Sequence, residues 1–70
     1  MKAQTLREKK ARKMLQMEIE QLPLEKQDLL AFYPDISEKD WYAWKFEDEN
    51  GKTYQFTYFY ATGQVEKKLA

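Results

Sequence analysis

From Trp41 onward, large aromatic side chains fall on every second residue. Tyr42, Trp44 and Phe46 alternate with Trp41, Ala43, Lys45 and Glu47; Tyr54, Phe56, Tyr58 and Tyr60 alternate with Thr53, Gln55, Thr57 and Phe59. A period of two sends successive side chains to opposite faces of a strand, so both runs read as β-strands with one aromatic face. Between them Asp48-Glu49-Asn50-Gly51-Lys52 is a hairpin turn signal.

The register follows from the rings. A two-residue Asn50-Gly51 loop sets Trp44 opposite Thr57 and scatters the aromatics over both faces. A three-residue loop, Glu49-Asn50-Gly51 with Gly51 left-handed, sets Tyr42 opposite Tyr58, Trp44 opposite Phe56 and Phe46 opposite Tyr54. It also pairs Asp48 with Lys52 and leaves Trp41 opposite Phe59 on the other face. One residue of slip would move every side chain across the sheet, so the three-residue loop is the expectation. A second turn at Ala61-Thr62-Gly63-Gln64 returns a third strand, with Val65 beside Tyr60 and Leu69 beside Phe56. Lys67 and Lys68 near its end discourage edge-to-edge aggregation.

Before the sheet the period is helical. Gln4 to Gln21 contains no Gly or Pro, and Ala11, Leu15, Ile19 and Leu22 form one stripe. Only Ala3 and Leu6 are apolar before Ala11, so residues 1–10 are expected to project or fray. Pro23 stops this helix and suits the first turn of a second, which carries Leu24, Leu29, Leu30, Phe32 and Tyr33 and ends before Pro34. Ser37 and Asp40 have capping-box spacing, which predicts one further helical turn. The expected fold is α+β, a single domain over residues 1–70, with an N-terminal helix hairpin packed on a three-stranded antiparallel β-meander.

Seventy residues allow one core, and a chain this short buries only roughly 60% of its unfolded surface. With no Cys and no His, disulfides, thiolate nucleophiles, the usual zinc sites and imidazole chemistry are excluded. Aromatic bulk takes their place, since nine of the eleven rings lie between Trp41 and Tyr60. No stretch is long and apolar enough to span a membrane, and the first residues lack the apolar run of a signal peptide, so the expected location is the cytoplasm.

Net charge is zero but segregated. Lys2, Arg7, Lys9, Lys10, Arg12 and Lys13 against Glu8 give residues 1–17 a charge of +5, residues 18–49 carry −7, and the remainder carries +2. The basic helix start reads as a solvated face, as a contact for nucleic-acid phosphates, or as one half of an electrostatic match with an acidic protein surface. A membrane-surface role fails for want of bulky apolar residues among the lysines.

The rings on the helix side are the expected core. An aromatic sheet can also stack single-stranded bases, but the helices would then have nothing to cover. Trp41 and Phe59 are unusual on a nominally wet face; they form a structural cross-strand pair or anchor a partner. Leu6 and Met14 on the first helix are candidates for the buried part of the same interface. Asp35, Glu38 and Asp40 cluster in a loop but match no EF-hand, and the sequence contains no phosphate-binding Gly-rich loop and no nucleophile elbow. No catalytic residue, metal site or cofactor is therefore expected.

The expected function is a small non-enzymatic protein-binding module, a regulator or inhibitor of a protein partner, using Trp41, Phe59, Leu6 and Met14. Its size and charge segregation fit an accessory or inhibitor protein of the kind mobile elements encode. The alternative is a nucleic-acid-binding accessory protein using Lys2, Arg7, Lys9, Lys10, Arg12 and Lys13. Homodimerisation is compatible with either, because so small a chain gains core by association.

Overall fold

A computed structural model of the chain describes residues 5–69. Helix α1 spans Leu6–Ile19, α2 is a single turn over Leu24–Gln27, and five strands follow: β1 Ala31–Phe32, β2 Ile36–Ser37, β3 Trp41–Glu47, β4 Thr53–Phe59 and β5 Val65–Leu69. All pair antiparallel, with β1 and β2 both on the outer edge of β3 and the rest in the order β3-β4-β5. The fold is α+β, as the change of period requires.

The central hairpin has the register that gathers the rings. Tyr42 faces Tyr58, Trp44 faces Phe56, Phe46 faces Tyr54 and Trp41 faces Phe59. The loop works through Gly51, whose φ of +79° only glycine adopts freely, and through Asp48. The Asp48 N–H donates to the Lys52 carbonyl (2.9 Å), while its carboxylate accepts from the Asn50 and Lys52 amides, 2.9 Å each.

Helix α1 begins at a complete capping box. Thr5 Oγ1 accepts from the Glu8 N–H (3.2 Å), and Glu8 Oε1 accepts from the Thr5 N–H (3.0 Å). Its stripe of Ala11, Leu15 and Ile19 is buried against Tyr42, Trp44, Phe46, Phe56 and Tyr58, and burying each large aliphatic contributes about 1.5–3 kcal/mol.

Three elements differ from expectation. The helix hairpin does not form: α2 ends at Gln27 and buries no side chain, so it lacks the packing that sustains a short helix. Residues 31–37, read as helix and turn, instead pair with the outer edge of β3. That edge would otherwise leave its backbone groups open, and the segment satisfies them: the Tyr33 N–H donates to the Lys45 carbonyl and the Glu38 N–H to the Trp41 carbonyl, 2.9 Å each. Between Phe32↔Phe46 and Ile36↔Ala43 the edge advances four residues while β3 advances three, a bulge that accommodates Pro34. Ser37 lies in β2 opposite Tyr42 rather than capping a helical turn.

The three-stranded meander thus gains a divided fourth strand, and its last register shifts by two. Val65 lies opposite Tyr58 and Leu69 opposite Tyr54. The Tyr60 N–H is taken by the Asp40 carbonyl (3.1 Å), which extends the β3–β4 ladder and leaves Phe59 and Gln64 to close the second turn, with Gly63 at φ +72°. Because the shift is even, Val65 and Leu69 keep to the helix side.

Candidate functional site

The two sheet faces are unequal. Helix α1 covers the face bearing Tyr42, Trp44, Phe56 and Tyr58. Among the described residues no helix lies over the opposite face: β2 contributes Ile36, β3 contributes Trp41, Ala43, Lys45 and Glu47, and β4 contributes Thr53, Gln55, Thr57 and Phe59.

This open face divides into an apolar end and a polar end. Trp41 and Phe59 stand directly across from each other, both half-buried, and Ile36 stands across from Ala43. Ala43 is fully buried and Thr57 is 5% exposed although no helix among the described residues shelters them, so larger neighbours on the same face must lean over this floor. Gln55 does so visibly, its Nε2 donating to Thr57 Oγ1 (3.2 Å). At the polar end the Lys45 ammonium lies over the Tyr33 ring (5.4 Å), and the Tyr33 hydroxyl donates to Glu47 (3.3 Å). The apolar end can accept a hydrophobic anchor while the polar end supplies rim hydrogen bonds, the division typical of protein interfaces.

The remaining candidate residues fall elsewhere. Leu6 is 85% exposed on the outer ridge of α1, spaced four, three and four with Lys10, Lys13 and Met17. Met14 packs against the core on the inner side. Both therefore lie on the helix side of the sheet, and the fold brings neither to Trp41 and Phe59.

The basic residues also separate. Lys2 lies outside the described residues. The Arg7 guanidinium sits 4.4 Å from the centre of the Tyr60 ring, and Arg12 Nε lies 4.0 Å from Asp35 Oδ2. Lys9, Lys10 and Lys13 are exposed, with no ion pair among the described residues. Sequence reasoning treated all six basic residues as one group, whereas Arg7 and Arg12 help dock the helix. The segment 5–10, expected to project, lies against the sheet through Arg7 and through Glu8, whose Oε2 accepts from the Ser37 hydroxyl (2.6 Å).

Beside these contacts the Tyr42 hydroxyl donates to the Asp35 carboxylate. Burial, aided by that hydrogen bond, pushes the Tyr42 hydroxyl from its ordinary 10.0 up to about 12. A raised value in the folded state means that the protonated phenol favours folding. Its contribution is whole below pH 10.0 and is lost as pH rises toward about 12. In Tyr42→Phe the alkaline fall in urea midpoint across that window should shrink, while the midpoint at neutral pH drops because Asp35 loses its donor.

A groove of 590 Å³ opens where α1 stops short of the far end of the sheet, walled by Leu22, Leu30, Phe46, Tyr54 and Leu69, with the Lys26–Glu49 ion pair at its rim. The expectation of a long second helix hid it, since that helix would have covered these residues. Among the described residues no helix is long and apolar enough to cross a membrane. Comparison with protein-family models, curated proteins and solved structures returned no significant match.

Proposed function

We propose that the protein is a small non-catalytic binding module, a regulator or inhibitor that engages a protein partner through the sheet face carrying Trp41 and Phe59. The observation behind this reading is the placement of two large aromatic residues directly across from each other on a face that no helix among the described residues covers. Part-exposed aromatic residues of this kind, bordered by polar side chains, are where interfaces concentrate binding energy. Leu6 and Met14 drop out of the proposed contact, being on the other side of the sheet.

The nucleic-acid reading now rests on Lys9, Lys10 and Lys13, which share the solvent side of α1. Affinity capture from host lysate on the immobilised protein, with and without nuclease, separates the two. A protein partner retained after nuclease treatment supports the proposal. Retention that vanishes with nuclease, falls steeply with salt and is abolished by changing those three lysines to Gln would transfer the function to nucleic acid.

A further inference from the structure

The two edges of the sheet are built differently. The β1/β2 edge carries a bulge and Pro34, which has no N–H, and both devices blunt an edge against pairing. The β5 edge has neither: it pairs regularly with β4 along its length, and among the described residues nothing pairs with its outer side. The Phe59 N–H donates to the Gln64 carbonyl (3.0 Å), so in the alternating ladder Gln64, Glu66 and Lys68 turn their backbone groups toward β4. Val65, Lys67 and Leu69 turn theirs outward.

We infer that this edge pairs with β5 of a second copy, antiparallel about a two-fold axis at Lys67. That register engages every outward position: Val65 meets Leu69 of the second copy, Lys67 meets its counterpart, and Leu69 meets Val65. The sequence Val65-Glu66-Lys67-Lys68-Leu69 is then self-complementary. On the helix side Val65 covers Leu69, which is 65% exposed in the single copy. On the open side Glu66 meets Lys68 of the second copy, twice by symmetry.

Neighbouring registers fail on charge. A shift of two residues one way sets Glu66 against Glu66, and the other way sets Lys68 against Lys68. At the axis itself the like pair is defused within each copy, because the Lys67 ammonium turns back onto Glu18 (2.8 Å) and lies over the Phe56 ring (5.8 Å). Lysines on an edge normally oppose association; here one is neutralised internally and the other meets an acid. With the axis perpendicular to the sheet, both helices fall on one side and both open faces merge on the other.

Sedimentation velocity of the full chain across a concentration series tests the pairing. The wild type is expected to dimerise reversibly, as suits a small interface. Glu66→Lys and Lys68→Glu should each weaken the dimer roughly tenfold or more by placing like charges in register. An equimolar mixture of the two single variants should recover a dimer, and so should the double variant Glu66→Lys/Lys68→Glu. Both residues are exposed, and circular dichroism verifies that each variant is folded. A wild type that stays monomeric to about 1 mM, or a dimer whose strength neither single variant changes, overturns the inference.

Discussion

A Leu15→Ala variant is expected to lose about 2–5 kcal/mol of folding stability, which for a chain of this size is most of what it has. Leu15 is fully buried and sits at the middle of the stripe that α1 lays on the sheet. Removing its isopropyl group leaves a void in the cluster it shares with Ala11, Ile19, Tyr42 and Phe56, and a chain without cysteine has no disulfide to offset the loss. A neighbouring change separates packing from helix propensity. Met17, on the same helix, is 51% exposed, so Met17→Ala should move stability by no more than about 0.5 kcal/mol. Thermal unfolding of the two variants side by side should give a melting temperature lowered by more than about 10 °C for Leu15→Ala and little changed for Met17→Ala. Equal effects would mean that α1 does not pack on the sheet by this stripe.

The parts of the fold legible in the sequence are those where one local signal had no rival. The alternating rings admit one register that gathers them, and Gly51 admits the loop that sets it, so the pairings from Trp41↔Phe59 to Phe46↔Tyr54 follow from the residues. The stripe of Ala11, Leu15 and Ile19 is equally direct. Residues 29–37 were not legible because Leu29, Leu30, Phe32 and Tyr33 form a nearly continuous apolar run, which periodicity cannot assign to helix or strand. What decides it is tertiary: the outer edge of β3 needs backbone partners. The register of β5 against β4 was misplaced by two residues for a similar reason, since the fate of the Tyr60 N–H depends on Asp40, a residue of another turn. In the candidate site, the placement of Trp41 opposite Phe59 followed from register alone. The separation of Leu6 and Met14 from that site, and of the two arginines from the basic group, did not, because it depends on which side of α1 meets the sheet and on Asp35 and Tyr60 receiving the guanidinium groups.

The second large effect concerns binding. In Trp41→Ser/Phe59→Ser, the fold loses two half-buried side chains at facing positions of the β3–β4 ladder, a cross-strand pair worth about 0.2–1 kcal/mol, but the core beneath α1 is untouched. A partner would lose two aromatic anchors, each contributing on the order of 2 kcal/mol or more at the centre of an interface, and together about a thousandfold in affinity. The variant also carries its own folding probe. With Trp41 gone, Trp44 is the only remaining tryptophan, and it is 8% exposed in the folded protein. The decisive measurement is therefore capture of the nuclease-resistant partner by this double variant, with Trp44 emission recorded on the same preparation. We expect emission from a buried indole and no retention above background; a solvent-exposed Trp44 without denaturant, or retention at the wild-type level, would contradict the assignment of this face to binding.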